Sequence, residues 1–469
     1  MRRVLLLAAV LGAMAVAGCS STSTDARSTV DVPSQWRTAA EQDRTHADLP
    51  WGDLFRTPDL EVLVREALAN NSDLRIAAER VELARAQYGF ERSALFPAVL
   101  GDAAYTRGRQ PSVGPENVIV ESSSLGLAVP TWEIDLWGRV RSSTEAARRQ
   151  LLASDETRRA LYVSLIGEVA RGYLTLLDLD YQLEVARRTL ETRRESLRVV
   201  KARFEGGITS ASDLRQAESN YAGAEAAIAL LQRSRSQAEN GLSILVGRNP
   251  GPVLRATGIN AMATPPRLPA GMPSDLLQRR PDVLAAEQQL LSADASIDAA
   301  RKAYFPVISL TGFLGFASPA LKDLFDDGRS AWSVSPAITL PIFTAGRLSA
   351  NVEAAEAQQR IAVEQYRKTV RTAFREVDDA LVAYQRYLEQ REALGRVVKA
   401  NRERERLADL RYRNGLTIFV EVLLAQQQTF ESELQLSQAN RGVYESVVNL
   451  YTALGGGWQP DGPGAAATR

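Results

Sequence analysis

Residues 169–204 read VARGYLTLLDLDYQLEVARRTLETRRESLRVVKARF, and Gly206-Gly207-Ile208-Thr209 follow almost at once. Within this stretch Val169, Leu176, Leu183, Leu190, Leu197 and Phe204 recur every seven residues. That spacing predicts a helix packed on other helices with a left-handed supercoil. Its pattern starts after Gly138 and reaches Phe204, which at 1.5 Å per residue is roughly 100 Å. No ordinary globular core needs so long a helix. Gly206-Gly207 then supplies the left-handed backbone that ends the helix and reverses the chain. A returning helix follows, with Leu214, Tyr221 and Ile228 in one register and Leu231, Ala238 and Leu245 in another.

The same arrangement occurs twice. Shifted by 209 residues, Ser72-Asp73-Leu74 meets Pro281-Asp282-Val283, and Leu95-Phe96-Pro97 meets Tyr304-Phe305-Pro306. Shifted by 208, Gly138-Arg139 meets Gly346-Arg347 and Glu145-Ala146-Ala147 meets Glu353-Ala354-Ala355. Arg203-Phe204 meets Arg411-Tyr412, Gly207-Ile208-Thr209 meets Gly415-Leu416-Thr417, and Val246-Gly247 meets Leu454-Gly455. The chain is therefore expected to be two copies of one unit, at 58–247 and 274–455, joined by a Pro-rich linker at 248–273 and followed by a tail at 456–469. Each unit reads as helix, two strands, long helix, tight turn, helix. Pro97 and Pro306 stop the first helix of each. The second long helix, 346–413, is less cleanly patterned, being interrupted by Arg391 and Gly395.

The strands are expected at 98–106 and 121–137 in the first unit, and at 306–317 and 331–343 in the second. Trp332, Val334, Pro336, Ile338, Leu340 and Ile342 alternate with small or polar residues, and Ile308, Leu310, Leu314 and Phe316 form a matching outward set. Such a two-residue period suits a barrel wall with one lipid face. Four strands cannot close a barrel, since the smallest membrane barrels have about eight. The strands must be pooled: two copies give eight, three give twelve, and the larger number leaves a lumen. Residues 107–120 and 318–330 become the loops between paired strands.

Composition bounds the rest. The 469 residues carry 56 Lys plus Arg against 56 Asp plus Glu, so there is no electrostatic footprint for nucleic acid. One Cys and one His (His46) exclude an intrachain disulfide and disfavour a Cys/His metal site. Many carboxylate pairs lie at helical spacing, but no cleft-forming segment surrounds them, so they read as solvated helix faces rather than acid–base machinery. No enzyme reading and no cofactor is supported. At the N-terminus, Arg2-Arg3, an apolar stretch Val4 to Val16 and Val16-Ala17-Gly18-Cys19 read as a lipoprotein signal, residues 1–18, with Cys19 as the acylated residue. Residues 19–57 then form a lipid-anchored arm that starts with the polar tether Ser21 to Thr29; Trp36, Trp51 and Phe55 would pack it onto the helices. Beyond Cys19 no apolar run of transmembrane length is expected.

Several segments together carry a family likeness over nearly the whole mature chain. They are Trp51-Gly52-Asp53-Leu54-Phe55, Asn71-Ser72-Asp73-Leu74, the run Trp132 to Arg139, Arg280-Pro281-Asp282-Val283, Phe305-Pro306 and the ending Leu450 to Trp458. The chain resembles the outer-membrane factor lipoproteins of tripartite efflux systems, the TolC/OprM type and particularly the NodT-like branch. The resemblance implies a mainly α chain with a small β part. It implies a homotrimer whose twelve strands form one outer-membrane β-barrel and whose antiparallel coiled-coil helices form a periplasmic α-barrel. A periplasmic adaptor would dock at the hairpin tips (Gly206, Gly207, Asn414, Gly415), and an inner-membrane transporter of RND type would supply energy. The chain is then a passive outer-membrane duct for small molecules such as drugs or toxic compounds. A non-conducting periplasmic scaffold, or the duct of a type I secretion system, are the alternatives.

The resemblance also points to a periplasmic gate. Tyr412, Gly415 and Glu421 match the family's gating region, with Glu421 the candidate for an acidic ring and Leu424 for an apolar constriction. Thr417 stands where that pattern has a latch Arg, and Leu424 where it has a second ring Asp. Arg411 or Arg413 would then supply the latch charge, against Asp213 or Glu205 of the other hairpin. Solvated helix-end charges are the plainer reading of the same residues. The four Met are scattered, which argues against a dedicated copper or silver path.

Overall fold

A computed structural model describes residues 30–37, 57–110, 118–255, 258–259, 262 and 270–456. The expected signal, Cys19, His46, Trp51, Phe55, most of the tail and part of the linker lie outside these residues. The chain is mainly helical with a few antiparallel strands. The first half runs α1 (Pro58–Asn70), α2 (Ser72–Ser93), β1 (Leu100–Gln110), β2 (Val118–Glu133), α3 (Arg139–Glu205) and α4 (Ala211–Leu245). The second runs α5 (Leu276–Arg279), α6 (Pro281–Lys302), β3 (Val307–Ser318), β4 (Ser330–Thr339), α7 (Arg347–Arg413) and α8 (Phe419–Ala453). The bounds of α2 recur in α6 with an offset of 209, and those of α3 and α4 recur in α7 and α8 with an offset of 208.

The first helix expected in each half is two helices. Asn71 breaks the first, leaving the helical region at ψ 128°. Its side chain accepts from the Leu74 amide at 3.0 Å and donates to the Leu245 carbonyl at 2.9 Å. In the second half Arg280 stands at the break, because the following Pro281 excludes it from a helical conformation. The strands also differ from expectation at their ends. β1 and β2 run on to Gln110 and Val118, carried by a cross-strand ion pair of Arg107 with Glu121 at 3.0 Å. β2 stops at Glu133 rather than 137, and β4 at Thr339 rather than 343, where Pro341 removes a ladder donor.

Clustering of contacts divides the chain into two compact units that cut across the two halves. One comprises residues 80–155 and 285–367 with the strands; the other comprises 31–79, 156–284 and 368–469. In the strand-bearing unit the four strands form one antiparallel sheet, in the order β1-β2-β3-β4. A bulge interrupts β2 between Val129 and Trp132, where Pro130 cannot donate. Gly126 faces Gly315 across β2 and β3, and a Cβ on either would lie 2.5 or 2.3 Å from the partner strand's backbone oxygen.

In the other unit α8 is the central helix. It buries residues along its whole length, whereas its repeat mate α4 buries only a few. Polar ties flank α8 on both sides. The Glu433 carboxylate receives Arg188 of α3 at 2.6 Å and Arg402 of α7 at 2.6 Å. Asp178 of α3 holds Ser437 and, at 3.1 Å, Arg441. The heptad seam of α3 is fully buried at Val169, Leu176 and Leu183. Nearer the tip the deeper positions lie three residues on, at Ala186, Arg193 and Val200, while Leu190 and Leu197 are half-buried and Phe204 is exposed. One window of α3 is long and apolar enough to cross a membrane, contrary to expectation. More than half of that window is buried, and Leu165, Ile166, Val169 and Leu177 of the same helix are bundle core, packed on α1, Leu242 and Tyr444. Trp36 is also buried here, donating from Nε1 to the Gly271 carbonyl at 2.8 Å and lying edge-on to Phe374.

Both hairpins close through the same turn at each end. Gly207 and Gly415 have φ near +72°, and the next amides, Ile208 and Leu416, donate to Arg203 and Arg411 carbonyls at 2.8 Å. Gly247 and Gly455 repeat the device after α4 and α8. Any side chain there meets the same left-handed strain, of about 1–2 kcal/mol. The space differs: a Cβ on Gly247 would sit 2.4 Å from the Asn70 oxygen, and one on Gly455 3.1 Å from that of Arg279. Gly247→Ala is therefore expected to cost about 1 kcal/mol more than Gly455→Ala, as read by thermal unfolding of the two variants.

Candidate functional site

The first candidate surface is the sheet. In its register Ala103, Leu125 and Phe316 share one row, and Gly101, Leu127, Leu314 and Trp332 the next. Paired residues point to one face, so this face carries Leu125, Leu127, Leu314, Trp332, Val334 and Ile338. All are exposed, Trp332 by 77%, Ile338 by 72% and Leu314 by 65%. The other face is mostly small or polar, with Ser122, Ser124, Thr311, Ser333 and Ser335 beside Ala and Gly, and also carries Leu100, Val120 and Phe313. In water an apolar face of that size is unstable; against hydrocarbon it is satisfied. At the Gly126–Gly315 row the backbones of β2 and β3 approach closely, which leaves no room for a side chain on either. Neither β1 nor β4 has a second partner among the described residues.

The joint between strand and long helix explains the run from Trp132 to Arg139. Glu133 takes Arg139 in a two-bond fork at 3.0 and 2.6 Å. Asp135 accepts from the Val140 and Arg141 amides at 3.0 and 2.9 Å, satisfying the first turn of α3. Trp137 stacks on Phe305 and donates to the Pro306 carbonyl at 2.8 Å. Gly138 turns the chain at φ +80°.

The second candidate surface is the pair of hairpin tips. Tyr412 is buried, packs on Phe419 and shares a small core with Val200, Leu214 and Val422. The Arg203 guanidinium lies 4.4 Å from the Tyr412 ring centre and donates to the Arg413 carbonyl at 2.8 Å. This is the charged contact between the two tips. The latch expected from Arg411 or Arg413 to Asp213 or Glu205 does not form within the chain. Arg413 pairs one turn back with Asp409 at 2.8 Å, and Arg411 approaches Glu421 of its own hairpin at 3.8 Å. Asp213 is occupied as a cap: with Ser210 it forms a capping box on α4 and also accepts from Thr209 at 2.7 Å. Those hydroxyl bonds, from Thr209 and then Ser210, outweigh its slight burial and hold its carboxyl below the usual range. Glu205 ends α3, exposed.

Repeat logic accounts for these roles. Arg203 is the mate of Arg411, and Asp213 is the mate of Glu421. The first tip has Ser210 at its cap; the second has Ile418, with no side-chain cap bond, so Glu421 is left half-exposed. Leu424 is exposed, as are Ile208, Leu416, Ile418 and Val420 around the turns. Asn414 donates to the Leu410 carbonyl at 2.8 Å beside Gly415. Both roles are legible in the sequence: Ser210-Ala211-Ser212-Asp213 has the spacing of a capping box, and Arg203 aligns with Arg411. Above the tips Arg193 is a buried cation in the helix seam. Burial pushes its pKa down, and it is held by the Asn220 carbonyl, Gln427 and the face of Phe430. Among the described residues no group of His, Cys, Asp and Glu could hold a metal ion.

A family model described as outer membrane efflux protein matches residues 63–248 and 272–456. A Pseudomonas putida protein, probable efflux pump outer membrane protein TtgC, is 38% identical over 97% of this chain and 96% of its own length. The outer membrane protein OprJ of Pseudomonas aeruginosa is 37% identical over 96% of each. Among solved structures, the outer-membrane channel OprN superposes with a TM-score of 0.87 at 30% identity, covering 94% of this chain and 99% of that one. The open-state MtrE outer membrane channel of Neisseria gonorrhoeae gives 0.80 at 35%, covering 92% and 99%. With its one-sided sheet and doubled long hairpins, the chain belongs to the outer membrane efflux protein family: it is a non-enzymatic outer-membrane channel of an efflux pump, with a long periplasmic extension.

Proposed function

We propose that three copies pool their strands into one twelve-stranded barrel and their hairpins into one periplasmic tunnel. The observation that carries this is a four-stranded sheet with one exposed apolar face and two unpaired edges. Open edges are not tolerated in hydrocarbon, so β1 of one copy pairs with β4 of the next. The under-buried α4 finds its partner the same way. Mass measurement in detergent is expected to give a homotrimer; a stable dimer or monomer would exclude twelve-strand closure.

The hairpin turns offer exposed apolar residues, Ile208, Leu416 and Ile418, beside Gly206, Gly207, Asn414 and Gly415. A periplasmic adaptor docks there, and an inner-membrane transporter of RND type drives the cargo through it. The cargo is small and toxic; relatives named for antibiotic and toluene efflux support that class. Cys19 is the acylation site, checked by loss of incorporated palmitate in Cys19→Ala.

The gate is the tip pair. Arg203 on Tyr412 clasps the two hairpins of each copy, while Glu421 forms a three-carboxylate ring and Leu424 the apolar constriction below it. A cation over an aromatic face and one hydrogen bond together contribute about 2 kcal/mol. Arg203→Ala is expected to raise the open probability in planar bilayers by about tenfold or more. Unchanged closure would remove Arg203 from the gate, and no conductance even from Glu421→Ala would favour the scaffold reading.

A further inference from the structure

The apolar face of the sheet does not end abruptly. From the Ile308–Ile338 row to the Tyr105–Ser123–Ser318 row there are ten residues of β3. At about 3.3 Å each and a strand tilt of about 40°, the rows span roughly 25 Å along the membrane normal, the usual height of the apolar band. Tyr105 therefore marks the exterior end of that band. Phe325, in the turn after β3, packs edge-on to Phe316 at 5.8 Å and extends the same face at the same height. Aromatic side chains at that level mark the boundary between hydrocarbon and headgroups.

Two further residues of β1 point to this face beyond Tyr105: Arg107 and Arg109, opposite Glu121 and Ile119. At the same pitch they stand about 5 and 10 Å above the apolar band, at the depth of lipid headgroups. Glu121 takes the Arg107 Nε at 3.0 Å, which fixes the guanidinium at this face while the Arg107 side chain stays 60% exposed. Arg109 is exposed and has no carboxylate partner among the described residues. Two arginines two residues apart on one face of β1, next to the apolar band, offer the donor chemistry that binds a phosphate monoester.

We propose that Arg107 and Arg109 form a binding site for the phosphate of an anionic lipid headgroup in the exterior leaflet. Nothing in the export route requires these cations: they share the apolar face of the sheet and point away from its opposite, more polar face. The proposal rests on the barrel reading, because only then does the apolar face meet lipid. Its role is to pin the exterior rim of each copy at a fixed depth and to seal the lipid boundary beside the β1 edge.

The test uses the purified channel in detergent, with lipid A as probe and native mass spectrometry as readout. The wild-type channel is expected to retain lipid A, and the double variant Arg107→Gln, Arg109→Gln to hold it about tenfold more weakly. Equal retention by both would overturn the proposal. Inorganic phosphate that displaces lipid A as readily as added lipid A does would overturn the lipid assignment, leaving a site for a free anion. Should the double variant fail to assemble, Arg109→Gln alone decides, since Arg109 has no ion pair to lose. The same spectra report the subunit number, so a failure of the trimer reading is seen separately from a failure of lipid binding.

Discussion

A chain carrying Gly315→Val is expected to yield no assembled channel. Gly315 lies opposite Gly126, and a Cβ there would stand 2.3 Å from the Leu125 oxygen and 2.5 Å from the Gly126 Cα. Both atoms are backbone, so no flexible side chain can move aside. Overpacking against a mobile core side chain costs about 1–3 kcal/mol, and against a strand backbone it must break the ladder instead. The β2–β3 junction is the seam between the two halves of the sheet, so its loss leaves two separate two-stranded ribbons, which are unstable alone. Gel mobility of the unheated protein should show the assembled band absent. Gly312→Ala is the control: its Cβ would be 3.6 Å from the nearest atom, an ordinary contact, and assembly should persist. Normal assembly of Gly315→Val would mean that β2 and β3 do not approach this closely at this row.

The second large effect is expected at Arg280. Its guanidinium is only 7% exposed and binds Asp282 through a fork at 2.9 and 2.7 Å, Glu376 at 2.8 Å and the Ala453 carbonyl at 2.9 Å. Burial disfavours its charge, but the hydrogen bonds and charges of Asp282 and Glu376 more than offset this and raise its pKa. It thus joins α6, α7 and the end of α8 beside a cleft of about 750 Å³. Arg280→Leu leaves two carboxylates and a buried carbonyl without their cation. Breaking a buried pair costs about 3–5 kcal/mol; both acids are partly exposed and rehydrate, so about 3 kcal/mol is expected. Asn71, its counterpart in the first half, makes only neutral bonds, and Asn71→Ala should cost about 1 kcal/mol. Thermal unfolding of the two variants should keep that order. The reverse order would mean that Glu376 and Asp282 are stabilised by something other than Arg280.

Much of this architecture was legible because its signals are local. Gly207 and Gly415 announce the turns, since little but glycine tolerates their backbone, and the seven-residue spacing from Val169 announces the long helix. The alternation in β4 is equally plain, because its even-numbered residues share the apolar face of the sheet and its odd-numbered ones lie on the other. The division of the first helix was harder to see. Asn71 is a moderate helix former, and only its two hydrogen bonds to Leu74 and Leu245 show that it caps rather than continues. The clasp at the tip was missed for a related reason. Arg411, Arg413, Asp213 and Glu205 all carry suitable charge, but charge alone cannot say which partners are nearer. Asp213 had a hydroxyl three residues before it, and Arg413 had Asp409 one turn back; both local options won. The shift of the buried seam to Ala186, Arg193 and Val200 reflects which side of α3 meets α8, a tertiary choice not written in the period itself.

The bulge in β2 resolves an arithmetical oddity. The two halves align with an offset of 209 before the strands and 208 after them, so the first half holds one residue more. In β2, residues on the apolar face are odd-numbered through Val129 and even-numbered from Trp132, whereas β4 keeps even numbers throughout. The extra residue is therefore the bulged one, and it restores parity between the copies. Length changes in the exterior turns carry no such condition, because a turn can re-pair its strands. Between the bulge and the long helix only changes of two residues keep grease toward lipid; a change of one would turn the wall inside out.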